Sequence, residues 1–212
     1  MKIGIIGASG KAGSFILKEA VERGHDVTAI VRDASKLQNE QVSVVEKNIL
    51  ELNSTDVENF DVVVNAFGAP LGEEQPHVDA GHALIEAAKG TNTRVIVVGG
   101  AGSLYVDEAK SVQVIDTPDF PDIFKPTAKG QARNLQELQE TANISWTFMS
   151  PSAIFDPEGT RTGAYQAGKD NLLINSKGES YISYADFAIA LVDEIENPKH
   201  INERFTVVGE AN

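Results

Sequence analysis

Three glycines spaced three apart, Gly7, Gly10 and Gly13 in "GASGKAG", form the first pattern in this chain that could do chemistry. They stand between the apolar run "KIGII" and the amphipathic run "KAGSFILKEAVERG", at a strand-to-helix turn. Glycine weakens both kinds of element, so bare backbone here serves a close approach. Gly7 lets the chain turn off the strand, Gly10 leaves room for a diphosphate, and Gly13 lets the helix pack closely on the sheet. The first N–H groups of the helix then point at the phosphates, and the Ser9 hydroxyl adds a donor. With Ala8, Lys11 and Ala12 completing the loop, the pattern predicts a dinucleotide site in preference to a merely tight turn.

A second chemical position follows the run "DVTAIV". An NAD site usually carries an acid about 20 residues beyond the glycines, where it binds the ribose hydroxyls. Here the strand tip is Arg32, followed by Asp33. A guanidinium fork suits a 2′-phosphate, and Lys11 and Lys36 can reinforce it, so NADP(H) is expected over NAD(H). Two plainer readings stay open: Asp33 as the N-cap of "ASKL" and Arg32 as a solvated charge.

The elements that must position these groups are legible as alternation. "KIGII", "DVTAIV", "VSVVE", "DVVVNAF", "RVIVVGG" and "SWTFMS" are mostly continuous in Val and Ile, the signature of parallel strands buried on both faces. Helical runs lie between several of them, with Phe15, Ile16, Ala20 and Val21 on one face of the first and Leu84, Ile85 and Ala88 inward on another. The expected fold is α/β, a doubly wound, mainly parallel sheet with helices on both faces. Residues 1–212 read as one domain, with about 150–212 forming a substrate-side elaboration. In that part Ser183 and Asp186 suggest a variant capping box opening "YADFAIAL".

Bulk properties restrict the partners. The net charge of −13 argues against a nucleic-acid binder, which needs a basic face, and against an anionic membrane surface. Cysteine is absent, which excludes disulfides and thiolate chemistry. No segment approaches the roughly 18 apolar residues of a membrane span, and a cytoplasmic protein is expected. No histidine cluster has metal-ligand spacing, so no metal is expected. The oligomeric state is left open.

Ligands of doubly wound sheets sit beyond the carboxyl ends of the strands. One loop leaving those ends spans nearly thirty residues and carries Tyr105, Phe120 and Phe124, which could form an aromatic wall for a flat conjugated ligand. The alternative is that these aromatics only cover the sheet edge.

"GASGKAG", "TAIVRDASKL", "VVVNAFG", "VIVVGGAGSL" and "ISYADFAIALVDEIENP" together resemble the atypical short-chain dehydrogenase/reductases. Within them the resemblance is to the NAD(P)H-binding, NmrA-like group that includes NADH-flavin reductases and biliverdin-IXβ/flavin reductase. It covers nearly the whole chain. It implies a Rossmann fold with a nicotinamide near Ala66, Phe67, Gly68, Gly99 and Gly100, contacted also by Pro151, Ser152 and Ala153.

One departure bears on mechanism. Typical members use a Tyr-x-x-x-Lys pair between the fifth and sixth strands, with the tyrosine as general acid. Here the corresponding lysine is Lys129, and Lys125 stands four residues earlier. Tyr165 and Lys169 have the spacing but lie after the sixth strand, a coincidence. Ser103 falls near the position of the family's catalytic serine. Carbonyl reduction by the usual route is therefore doubtful. Hydride transfer to a flavin, quinone or similar conjugated small-molecule acceptor needs little acid catalysis and is the expected reaction, with flavin one of the acceptors it allows. His77 could assist with a proton, although it also reads as an exposed helix-start residue. A non-catalytic NADP(H)-binding sensor is the rival reading. A nucleotide-sugar epimerase or dehydratase, which also needs the missing tyrosine, is weaker.

Overall fold

A computed structural model describes residues 1–37 and 42–211. The chain runs β1 (Lys2–Ile6), α1 (Lys11–Glu22), β2 (Asp26–Val31), β3 (Ser43–Glu46), α2 (Ser54–Val57) and β4 (Val62–Asn65). It continues through α3 (Gln75–Ala88), β5 (Arg94–Val98), α4 (Lys125–Glu140) and β6 (Ser145–Ser150). Beyond these come β7 (Ile154–Asp156), β8 (Gln166–Gly168), β9 (Tyr181–Ser183), α5 (Tyr184–Glu196) and β10 (Glu203–Val208).

Eight strands form one sheet in the order β3-β2-β1-β4-β5-β6-β10-β8, and β7 pairs with β9 separately. All neighbours in the large sheet are parallel except β8, which runs antiparallel along β10. The sheet is the doubly wound one that the Val- and Ile-rich runs imply. Its strand order reverses between β1 and β4, which opens a crevice above their carboxyl ends.

Side chains alternate across the sheet. Ile3, Ile5, Val62 and Val64 join Ile16 and Leu17 of α1 and Phe187 and Leu191 of α5 on one face. Ile6, Val63, Val95 and Val97 join Leu84 and Ile85 of α3 and Leu135 and Leu138 of α4 on the other. Full burial of each such aliphatic group contributes about 1.5–3 kcal/mol, so these two layers fix where every loop emerges.

Two expectations are corrected. β3 is not buried on both faces: all four of its residues are exposed, as befits the edge strand of the sheet. At the start of α5 the Ser183 hydroxyl does accept the Asp186 N–H at 3.0 Å. The Asp186 carboxylate, however, accepts the Thr162 and Gly163 amides at 2.9 and 2.8 Å, so it ties down the segment before β8 instead of closing a capping box.

Candidate active site

The loops after β1 to β6 line one cleft of about 860 Å³ above the crevice. That volume lies within the range of small-molecule and cofactor sites. The loop after β1 forms its floor. Gly7 has φ +73°, and a Cβ there would lie 2.5 Å from the Ala66 carbonyl oxygen, so β1 and the loop after β4 meet backbone to backbone. A Cβ on Gly13 would overlap the Gly7 carbonyl. At Gly10 the added atom would meet only that oxygen, at 3.0 Å.

The start of α1 is left open. Ser183 and Asn53 cap α5 and α2 with their side chains, and α3 and α4 begin with proline. α1 has no side-chain cap, no proline in its first turn and no acid there. Its first N–H groups are therefore available to an anion, which the helix dipole favours at that end. The bare Gly10 and these free donors fit a diphosphate.

The far end of the cleft is basic. Arg32, Lys36 and Lys47 line it together with Asp33; Lys36 pairs with Asp33 at 3.7 Å and Lys47 with Asp56 at 2.7 Å, whereas Arg32 has no ion-pair partner among the described residues. Asp33 accepts the Ser35 hydroxyl at 2.6 Å and the Ser35 amide at 3.0 Å, capping the short 3-10 turn Ala34–Lys36. Those two bonds hold its carboxyl below the usual range. Asp33 is thus the cap, as one of the two plainer readings had it.

The opposite end is apolar. Asn65 is buried and its side-chain oxygen accepts the Phe67 N–H at 3.0 Å, which fixes Ala66, Phe67 and Gly68 against the cleft. Gly99 backs onto the Phe148 ring with no room for a Cβ, and Gly100 lies against the movable end of the Gln131 side chain. Phe120, Phe124 and Leu71 line the mouth, and Pro151, Ser152 and Ala153 line the side beneath β6. The Ser152 hydroxyl donates to the Val207 carbonyl at 2.7 Å, so it holds the loop in place. Phe155 and Tyr184, with ring centroids 3.9 Å apart, complete that side.

Of the cofactor candidates, Ala8 and Gly13 lie behind the cleft wall and the others line it. Three candidates do not reach it. Ser103, Tyr105 and Lys129 line a separate, more polar pocket with Lys125, Arg133 and Arg204. Ser103 accepts Arg204 through both its hydroxyl and its carbonyl oxygen, at 3.0 and 2.9 Å. The Tyr105 amide donates to the Asp170 carbonyl at 2.9 Å, which turns this part of the long loop toward β8. Lys129 misses the cleft through helical phase: α4 buries Ala128, Leu135 and Leu138, and this directs Thr127 and Gln131 toward the cleft. The face where a Tyr-x-x-x-Lys pair would act carries Thr127 and Gln131 at the same i, i+4 spacing.

His77 also departs from its reading as exposed. It is buried, with Nε2 unpartnered, and its ring stands edge-on to Phe67 at 5.8 Å. Burial pushes its pKa down, so the ring is held neutral. Tyr165 donates its hydroxyl to Asp193 at 2.8 Å and Lys169 pairs with Glu203, so that pair is a structural coincidence. His25, His82 and His200 contact Glu196, Glu137 and Glu194. Among the described residues no group of three or more metal-ligating side chains occurs. Nor is any helix there long and apolar enough to cross a membrane. Asn65, Thr127, Gln131, Phe155 and Tyr184 were not singled out from sequence. Only Asn65, a lone amide ending an apolar run, carried a signal.

An uncapped helix start beside bare glycines, at the switch point of a parallel sheet, defines a dinucleotide-binding Rossmann protein. The family model described as NAD(P)H-binding matches residues 7–198, and the chain belongs to that family. It is 63% identical over 212 residues to Bacillus subtilis YwnB, itself named an uncharacterized protein, with both chains covered completely. A crystal structure from Streptococcus pneumoniae, of a "putative NADH-flavin reductase", matches with TM-score 0.93 and 46% identity over 99% of this chain and 100% of that one. A "putative epimerase" from Bacteroides thetaiotaomicron matches with TM-score 0.89 and 35% identity over 100% of this chain and 98% of that one. The atypical short-chain dehydrogenase/reductase resemblance and the family agree.

Proposed function

We propose that this protein is an NADPH-dependent reductase that passes a hydride to a flat, conjugated acceptor such as a flavin or quinone. The observation that carries this reading is the cleft itself. Diphosphate donors at α1 separate a basic end from an apolar end, and the cleft face of α4 carries Thr127 and Gln131 in place of a Tyr-x-x-x-Lys pair.

In this reading the α1 amides, Ser9 and Lys11 hold the diphosphate, while Arg32 and Lys36 hold a 2′-phosphate. Ala66 to Gly68, Gly99, Gly100 and Pro151 to Ala153 shape the nicotinamide end. The bound nicotinamide supplies the hydride. Phe67, Phe120 and Phe124 would offer flat surfaces against which a conjugated acceptor could pack. The acceptor gains two electrons and one hydrogen, and solvent provides the proton, so no protein acid is needed at the transferred hydrogen's target. An epimerase needs an acid–base pair on the cleft face of α4, where Thr127 and Gln131 stand instead. The Streptococcus name agrees with the reductase reading.

The test is to follow loss of reduced nicotinamide absorbance with FMN, riboflavin and simple quinones. Turnover above the protein-free rate, faster with NADPH than NADH, is expected. Tight coenzyme binding with no turnover on any acceptor would favour a sensor.

A further inference from the structure

A second large cavity, of about 1050 Å³, has no task in the reductase reading. α4 and the segment 113–118 form the partition between it and the coenzyme cleft. Val114, Thr127 and Ala128 face the cleft, whereas Ile115, Lys125 and Lys129 face the second cavity, and among the described residues only Thr117 lines both. Backbone bonds fix the partition: the Val114 N–H donates to the Leu104 carbonyl at 2.8 Å and the Ile115 N–H to the Gly102 carbonyl at 2.9 Å.

The wall of this cavity runs against the net charge of −13. Four cations, Lys125, Lys129, Arg133 and Arg204, line it against two carboxylates, Glu74 and Asp116. Lys125 pairs with Asp122 at 2.6 Å and Arg133 with Glu74 at 3.3 Å. Lys129 stands between them on the same face of α4 and has no ion-pair partner among the described residues. Arg204 is buried; its Nε and Nη2 donate to Asp170 at 3.0 and 2.9 Å, and its Nη1 donates to the carbonyl and hydroxyl oxygens of Ser103. Ser103 is buried too. Its hydroxyl accepts from Arg204, which leaves the hydroxyl proton with no acceptor among the described residues.

A buried hydroxyl that must donate, a guanidinium behind it and an unpaired ammonium on the same wall call for a negatively charged acceptor. Tyr105 lines the cavity with a further hydroxyl. A phosphate meets several such donors at once, and Ile115 and Leu135 offer apolar surface to a small organic group. We propose that this cavity is a second anion site that takes a small phosphomonoester, with Ser103 and Lys129 donating to the phosphate and Arg204 supplying positive charge behind Ser103. The proposal stands apart from the reductase reading.

The probe is inorganic phosphate, titrated into NADP⁺-saturated protein at constant ionic strength and followed by amide NMR spectra. Saturable shifts are expected at Ser103, Tyr105, Gln113 and Lys129, with Gly10, Lys11 and Ala12 unmoved. Lys129→Met should raise the half-saturating phosphate concentration about tenfold, the loss of one charged hydrogen bond. Lys89→Met removes an exposed lysine beyond the end of α3 and should leave it unchanged. An unaltered titration in Lys129→Met overturns the proposal, and so does an equal rise in Lys89→Met, which would reveal diffuse charge in place of a site. Shifts confined to Gly10, Lys11 and Ala12 overturn it as well. If NADP⁺ itself moves none of those three amides, the coenzyme reading fails, while the phosphate titration still decides the second cavity.

Discussion

The carbonyl oxygen of Gly7 occupies the space in which a Cβ on Gly13 would have to stand. The first turn of α1 therefore lies directly on the end of β1, and the two outer glycines of the loop serve packing as much as ligand approach. Gly13→Ala is expected to lower stability by about 1–3 kcal/mol, the usual cost of forcing an extra carbon into a filled space. Gly10→Ala meets only one atom at 3.0 Å and should keep its melting temperature within a few degrees while losing coenzyme affinity. Thermal melts and coenzyme titrations of the two variants check the split. A Gly13→Ala protein as stable as wild type would contradict it.

Arg32 is exposed at the basic end of the cleft and has no ion-pair partner among the described residues. A charged hydrogen bond to a phosphate is worth about 1.5–3 kcal/mol. Arg32→Ala should therefore weaken NADPH binding about tenfold or more and leave NADH binding within twofold. Titrations with both coenzymes, repeated at raised salt, check this. Equal losses for the two would remove the case for 2′-phosphate recognition.

Lys129 and Ser103 line the second pocket, away from the coenzyme cleft. Lys129→Met should leave kcat within about twofold with any acceptor that the wild type reduces. Ser103→Ala loses a bond to Arg204 and should instead lower the melting temperature. A hundredfold loss of kcat in Lys129→Met would return that lysine to the reaction centre.

Burial of His77 sets a pH dependence. The ring stays neutral in the folded chain below its ordinary value of 6.5, whereas the unfolded chain takes up the proton there. Its contribution to stability is thus complete above about pH 6.5. It is lost as the pH falls from that value toward the depressed folded pKa. His77→Phe removes this limb, so its melting temperature should drop less between pH 7 and pH 5 than that of the wild type. Parallel curves would contradict the burial.

Much of the frame was legible because burial on both faces writes itself as unbroken Val and Ile, as in β1, β4 and β5. The glycine loop was legible because each glycine answers a separate steric demand. β7 to β9 were not, since three-residue strands leave no periodicity to read. Which residues of α4 face the cleft depends on its helical phase, set by the burial of Ala128 and Leu135, and no apolar periodicity around Lys129 reveals that phase in the sequence. His77 follows Gln75 and Pro76 and has polar surroundings in sequence. α4 packs closely over it at Gly130, where a Cβ would lie 2.9 Å from the His77 Cβ, and Phe67 stands against its ring. Tyr105 was grouped with Phe120 and Phe124 by proximity along the chain, and its backbone bond to Asp170 separates them.

The most direct measurement is a crystal structure of the protein grown with NADPH. The diphosphate is expected against the first-turn amides of α1, the adenosine end beside Arg32 and the nicotinamide between Phe67 and Ala153. A diphosphate bound elsewhere, with the Gly7–Gly13 loop making no contact to it, would rule out coenzyme binding by this loop.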